Sequence, residues 1–237
     1  MKPFHFRHFS IQQSQAAMKV GTDSMLLGSL CNFDNARSVL DIGTGTGVLS
    51  LMIAQRFAPA HITAIEIDEA AAADAQINFS DHPFSSEIEL IRIDIRQFHT
   101  DKLFDGIITN PPFFENSSQS MLEDRNLARH TTTLSFSDLF SVSARLLVSE
   151  GKLWMILPAD VTRQITAIAL ENGFHFRTLI NVEGKPGKPV RTIMEFGKAA
   201  KEPAISSFIV RTADGSYTNE YIALTKEFHG VDLSAKK

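Results

Sequence analysis

Ser38-Val39-Leu40-Asp41-Ile42-Gly43-Thr44-Gly45-Thr46-Gly47-Val48-Leu49-Ser50-Leu51-Met52-Ile53-Ala54 is the stretch that decides how this chain folds. Its first five residues predict a buried strand, its middle five place glycine at every second position, and its last seven carry the apolar residues of a buried helix. A strand, a glycine turn and a helix in that order bring backbone N–H groups and the positive end of a helix to one point. Glycine suits the turn because a Cβ would hold the backbone away from whatever binds there.

Spacing narrows the choice of ligand. A dinucleotide fingerprint, G-x-G-x-x-G, would need glycine where Val48 stands, and no G-x-x-x-x-G-K-[ST] phosphate loop is present. Gly43, Gly45 and Gly47 after the acidic Asp41 suit a cofactor with an amino-acid moiety and no pyrophosphate, which favours S-adenosylmethionine over NAD. The next strand, His61 to Asp68, ends in acids about 20 residues beyond the glycines, where a carboxylate can hold a ribose diol. Glu66, beside Ile67, is the choice for that role, since Asp68 can cap the alanine-rich helix from Glu69 to Phe79. A third strand, Glu87 to Ile93, precedes Asp94 and Ile95; Asp94 can accept from an adenine amino group or only cap the turn toward Phe98.

A fourth apolar run, Phe104 to Ile108, leads into Thr109-Asn110-Pro111-Pro112-Phe113. Two prolines supply no N–H and hold Asn110 and Pro111 extended, so the turn offers mainly acceptors. The Asn110 amide oxygen and the Pro111 carbonyl suit a planar group bearing –NH2, with Phe113 stacking on its face. The plainer alternative is a strand end, a Pro-Pro stop and a core phenylalanine. All four candidate groups fall at the carboxyl ends of successive strands, the edge where open α/β sheets bind ligands.

A chain of 237 residues, 43% hydrophobic and 21% charged, fits one globular α/β domain. No run of about 18 apolar residues exists and the N-terminus lacks a signal-peptide core, so a cytoplasmic protein without a membrane segment is expected. One cysteine and eight histidines without an HExxH spacing give no metal site. The net charge of -4 argues mildly against nucleic acid, yet residues 1–22 carry Lys2, Arg7 and Lys19 and no acid.

The flanks are less decisive. Phe4, Phe6 and Phe9 interleave with His5, Arg7 and His8, a pattern that can line a ligand pocket or cover the sheet. Asp23 or Ser24 can cap a short helix from Met25 to Leu30. Between Glu115 and Leu134 a polar loop holds Arg125, Arg129 and His130, which can meet phosphates or a flipped base, or be incidental charges. Helices are expected from Ser135 to Leu147 and from Asp160 to Glu171, and strands at Glu150–Pro158, Phe174–Val182, Val190–Phe196 and Ile205–Val210. The connection before Arg191 carries Lys185 and Lys188, able to grip an RNA backbone or simply to keep a hairpin soluble.

Asp41 to Gly47, Glu66, Asp94 and Asn110-Pro111-Pro112-Phe113 resemble the class I S-adenosylmethionine-dependent methyltransferases that modify exocyclic amino groups. Met18 to Asp23, Ala128-Arg129-His130, and Tyr217-Thr218 with Leu224 and Phe228 resemble the bacterial tRNA1(Val) adenine N6-methyltransferase family, which modifies the adenine beside the anticodon, position 37. The resemblance implies a Rossmann-like, mostly parallel sheet of seven strands with helices on both faces and an antiparallel C-terminal pair. A covering segment, 1–37, would precede a methyltransferase domain, 38–237, within one monomeric unit. Lys19, Thr22, Asp41, Gly43, Gly45, Gly47, Glu66, Ile67, Asp94, Ile95 and Asn110 would hold S-adenosylmethionine. Asn110, Pro111, Pro112 and Phe113 would be catalytic, with Phe113, Arg125, Arg129, His130, Lys185, Lys188 and Arg191 on the tRNA anticodon loop. Many relatives carry Tyr at the position of Phe113, as stacking alone would allow. Rival readings are the glutamine N5-methyltransferase of release factors, a DNA adenine N6 or rRNA guanine N2 enzyme, and a non-enzymatic RNA-binding protein.

Overall fold

A computed structural model describes residues 3–16, 19–57, 60–80, 82, 87–111, 134–231 and 233 of the protein. The chain begins with a small antiparallel pair, β1 (Phe4–His5) and β2 (Ser10–Ile11), and a helix, α1 (Thr22–Leu30). Then come β3 (Ser38–Ile42), α2 (Val48–Arg56), β4 (His61–Glu66), α3 (Glu69–Ser80), β5 (Ile88–Arg92) and β6 (Phe104–Thr109). The second half holds α4 (Phe136–Leu146), β7 (Leu147–Pro158), α5 (Thr162–Glu171), β8 (His175–Glu183), β9 (Arg191–Gly197), β10 (Ala204–Ile209) and α6 (Asn219–Thr225).

Among the described residues the main sheet has eight strands in the order β10-β8-β9-β7-β6-β3-β4-β5. The resemblance implied seven. The additional strand is β10, which returns past β9 to the outer side of β8 and pairs parallel with it from Ala204↔Thr178 to Ile209↔Glu183. β9 is antiparallel to both β7 and β8, which is the expected reversed pair. From β7 to β5 every neighbouring pair is parallel.

Alternation along the strands divides the core in two. Val39, Ile62, Ala64, Ile108, Trp154 and Ile156 face one cluster with Met25, Leu26, Leu51 and Met52 from α1 and α2. Leu40, Ile42, Ile65, Ile107, Leu153 and Met155 face the other with Leu139, Phe140 and Ile165 from α4 and α5. β3 is buried at all five positions because helices cover both of its faces. Phe6, Phe9 and Ile11 join the first cluster, so the N-terminal segment shares the core of the sheet.

Two helix starts show how local chemistry sets boundaries. Ser135 caps α4, accepting from the Asp138 N–H at 3.0 Å, as an N-cap serine does. By contrast α1 begins at Thr22 with Gly21 as its cap and no side-chain bond, so neither Asp23 nor Ser24 caps it. Both sit inside the first turn instead, with other partners.

Candidate active site

β3, β4, β5 and β6 run parallel, so their carboxyl ends form one edge. The Thr109 hydroxyl donates to the Ile42 carbonyl at 2.8 Å and fixes the end of β6 against that of β3. The glycine turn follows β3. Gly43, Gly45 and Gly47 all have positive φ, 71°, 58° and 83°. Gly47 has a second constraint: a Cβ there would lie 2.4 Å from the Phe79 ring of α3. At Gly43 and Gly45 a Cβ would meet nothing within 4 Å, so that side of the turn is open.

Four of the turn's five N–H groups are spent on acceptors of the protein itself. Gly43 and Thr44 donate to the Ile65 carbonyl at 2.9 and 3.0 Å, Gly47 to Thr44, and Gly45 to the Glu66 carboxylate at 2.8 Å. A phosphate cradle needs such donors pointing outward. What the edge offers are carboxylates and open space, which suits a cofactor without phosphates.

Glu66, at the end of β4, is the hub. One oxygen accepts from Gly45, the other from the N–H groups of Ile67 and Asp68, each at 2.8 Å. Ile67 beside it is 51% exposed, an apolar side chain presented at the rim. Asp68 caps α3 through the Ala71 N–H at 2.7 Å, as expected of it. Asp94 accepts from the Arg96 backbone N–H at 2.9 Å and is gripped at both oxygens by the Arg96 guanidinium. Hydrogen bonds from that side chain, the largest effect, hold the Asp94 carboxyl below the usual range. The turn-capping alternative for Asp94 is therefore realised, and Arg96 is a partner that sequence reading missed. Ile95 is 5% exposed and packs into the core, so only its backbone reaches the edge.

Asp41 lies beneath the turn. It is fully buried, and one oxygen accepts from the Thr44 and Ser50 hydroxyls at 2.6 and 2.7 Å. Its other oxygen is buried without a hydrogen-bond partner. Burial pushes the carboxyl up from 3.8 to about 6, opposed by those hydroxyls and reinforced by Glu66. The folded chain thus holds this proton more tightly than the unfolded one. Below about pH 4 both states are protonated and nothing is lost; stability falls as pH rises through the interval, and above about 6 the cost is complete. Two pH units correspond to about 3 kcal/mol. Asp41→Asn is accordingly expected to gain up to about 3 kcal/mol on the wild type between acid and neutral pH. Urea unfolding at both pH values checks this, and a pH-independent difference would contradict it.

Asn110 follows β6, partly exposed, and its amide nitrogen donates to the Ser24 hydroxyl of α1 at 3.3 Å. Among the described residues the amide oxygen has no hydrogen-bond donor. Asp23, the preceding residue, pairs with the Arg191 guanidinium at 2.8 Å, so Arg191 ties β9 to the first turn of α1. Lys185 and Lys188 are exposed in the β8–β9 connection. Lys19 spends its ammonium on the carbonyls of Gln13, at 2.7 Å, and Ala16, while Thr22 is exposed as the first residue of α1. Pro111 is described; Pro112, Phe113, Arg125, Arg129 and His130 lie outside the described residues.

The N-terminal segment is held by two buried residues of α3. Asp74 accepts from the Gln15 and Ala16 N–H groups at 2.8 Å, and Asn78 bonds Gln12 on one side and the Thr46 carbonyl on the other. Asn78 therefore links the segment to the glycine turn. The signal was available: two polar residues four apart on the otherwise alanine-rich face of α3.

The chain is similar to a family model, to curated relatives and to solved structures. Residues 13–185 match the family model "Methyltransferase small domain". The tRNA1(Val) (adenine(37)-N6)-methyltransferase of Phocaeicola vulgatus is 40% identical over 227 residues, covering 95% of this chain and 97% of the relative. The chain belongs to that family. Another member of the tRNA1(Val) (adenine(37)-N6)-methyltransferase family, from Tolumonas auensis, is 40% identical over 228 residues, 95% of this chain and 96% of its own. Among solved structures, a protein described as a predicted O-methyltransferase from Agrobacterium tumefaciens aligns with a TM-score of 0.68 at 22% identity, over 87% of this chain and 96% of that one, which shows the shared class I fold. Among the described residues of this family member, no group of three or more His, Cys, Asp or Glu gathers as a metal site, and no helix is long and apolar enough to cross a membrane.

Proposed function

We propose that this protein methylates N6 of adenine 37, in the anticodon loop of tRNA1(Val), using S-adenosylmethionine, and that it does so as a cytoplasmic monomer. The observation that carries the reading is Asn110 at the carboxyl edge, its nitrogen on Ser24 and its oxygen without a donor among the described residues, beside an acid-lined glycine turn. The full-length relatives support the substrate class. Gly43, Gly45, Glu66, Ile67 and Asp94 would hold the cofactor. Once bound, S-adenosylmethionine supplies an electrophilic methyl group on a sulfonium.

The protein's part is to present the nitrogen. An adenine N6 is a weak nucleophile because its lone pair is delocalised into the ring. The Asn110 amide oxygen and the Pro111 carbonyl accept its two N–H bonds, favour a pyramidal nitrogen and direct the freed lone pair at the methyl carbon. As the N–C bond forms, the methyl–sulfur bond would break with its electron pair left on sulfur as a neutral thioether, and the two oxygens would stabilise the positive charge that passes to nitrogen. No strong general base is needed, since the acidified proton can pass from N6 to water. Extrusion of a base from an anticodon loop costs a few kcal/mol, the lower end for a single-stranded target.

The test is methyl transfer from labelled cofactor to separated tRNA, rRNA, DNA and release factor. Label in tRNA1(Val), recovered as N6-methyladenosine at position 37, is the expected result. Label confined to DNA or to a release-factor glutamine would overturn the reading.

A further inference from the structure

Beyond the reacting base, the carboxyl edge continues across β7, β9, β8 and β10. Val182 and Pro158 both pair with Arg191, and Ile209 pairs with Glu183. The β8–β9 connection and the turn after β10 therefore emerge on the same edge as Asn110. At about 4.8 Å per strand, β10 lies roughly 19 Å from β6.

The two connections are bonded together. Val210 donates to the Glu183 carbonyl at 2.9 Å and Arg211 to the Gly184 carbonyl at 3.1 Å. The Arg211 guanidinium lies 3.9 Å over the Tyr217 ring and donates to the Gly215 carbonyl at 2.8 Å. Tyr217 in turn stacks on buried Tyr221, at 4.7 Å and 13°. Lys185 reaches the same turn, its ammonium 3.7 Å from where a Gly215 Cβ would stand. Two cations thus converge on one turn, one of them held over a partly buried aromatic ring. Asp214 is the acid in the turn, and its carboxylate accepts from the Thr212 and Ser216 hydroxyls and the Ser216 N–H. Among the described residues neither Lys185 nor Arg211 forms an ion pair with a carboxylate.

We propose that Lys185, Arg211 and Tyr217 form a docking surface for the phosphodiester backbone of the RNA substrate, on nucleotides flanking the one held at Asn110. The inference rests on the tRNA reading above. An acidic protein gains RNA affinity by concentrating cations locally, and these two lie on the same sheet edge as Asn110. The cation–π contact with Tyr217 and the bond to the Gly215 carbonyl keep the guanidinium in place, and its remaining N–H groups would serve a phosphate. Arg191, already paired with Asp23, is left out of this surface.

Salt dependence of tRNA binding tests it. The dissociation constant of the protein for tRNA1(Val) is measured by filter binding across a range of KCl for wild type, K185Q, R211K and K185Q/R211Q. The double variant is expected to bind about tenfold more weakly, with its log–log salt slope reduced by about 1.5, two phosphate contacts' worth. R211K, which keeps the charge, should retain the wild-type slope. K185Q alone, at an exposed position, should lower the slope by about 0.8 and keeps the test decisive should loss of Arg211 loosen the turn. Unchanged affinity and slope in the double variant, while the wild type binds and methylates tRNA, would overturn the surface alone. Failure of the wild type to bind or methylate tRNA would overturn both the surface and the function it rests on.

Discussion

Asn110→Ala should lower methyl transfer to tRNA by about a thousandfold or more while S-adenosylmethionine binds within a few-fold of the wild type. The substitution removes one of two acceptors for the adenine amino group and leaves the glycine turn, Glu66 and Asp94 untouched. Losing a single preorganised dipole at a developing charge costs about two to three orders of magnitude in other enzymes, and misorientation of the nitrogen adds to that. Fold stability should change little, because Asn110 is partly exposed and its one side-chain bond, to Ser24, is long at 3.3 Å. Single-turnover assays with saturating cofactor, together with calorimetric titration, separate the two effects. Retention of more than about a tenth of the activity would rule out the acceptor mechanism.

Glu66→Ala should show the opposite signature, with cofactor affinity falling by about a hundredfold or more and turnover at saturating cofactor largely kept. The carboxylate is 7% exposed and is the common acceptor for the Gly45, Ile67 and Asp68 N–H groups. Hydrogen bonds to a charged group are worth about 1.5–3 kcal/mol each, and a buried donor left without an acceptor costs about 1–3. Its loss would let the glycine turn drift from the end of β4, so affinity suffers even before any direct bond to a ribose is counted. Glu66→Gln keeps one acceptor oxygen and should recover part of the loss. Calorimetric titration decides it; affinity within threefold of wild type would show that the turn holds its shape without the carboxylate.

Much of this edge was legible before any coordinates, because strands that alternate with helices leave few topologies and put their carboxyl ends together. The glycine turn, Glu66, Asp94 and Asn110 all fall there, each within a residue or two of an apolar run that could be read directly. Partners chosen by tertiary packing were not legible. Nothing in the spacing says that Arg96 turns back on Asp94, that Ser24 takes the Asn110 nitrogen, or that Arg191 spends its charge on Asp23 across 168 residues of sequence. Asp41 was read as a cofactor-facing acid, whereas its place on an inward-facing position of β3 puts it under the turn. β10 was readable as a strand, but its place outside β8 depends on a return of the chain that leaves no local signature.

Trp154 is the chain's one tryptophan, and it sits 3% exposed on β7, beside Ile108 and on the face covered by α1 and α2. Among the described residues its indole N–H has no hydrogen-bond partner. A single indole in so buried a niche emits without a second one beside it, and it lies two residues back from the acceptor turn in strand register. Any change in the packing around it would alter its colour and quenching, an intrinsic optical gauge of this part of the fold that needs no added dye.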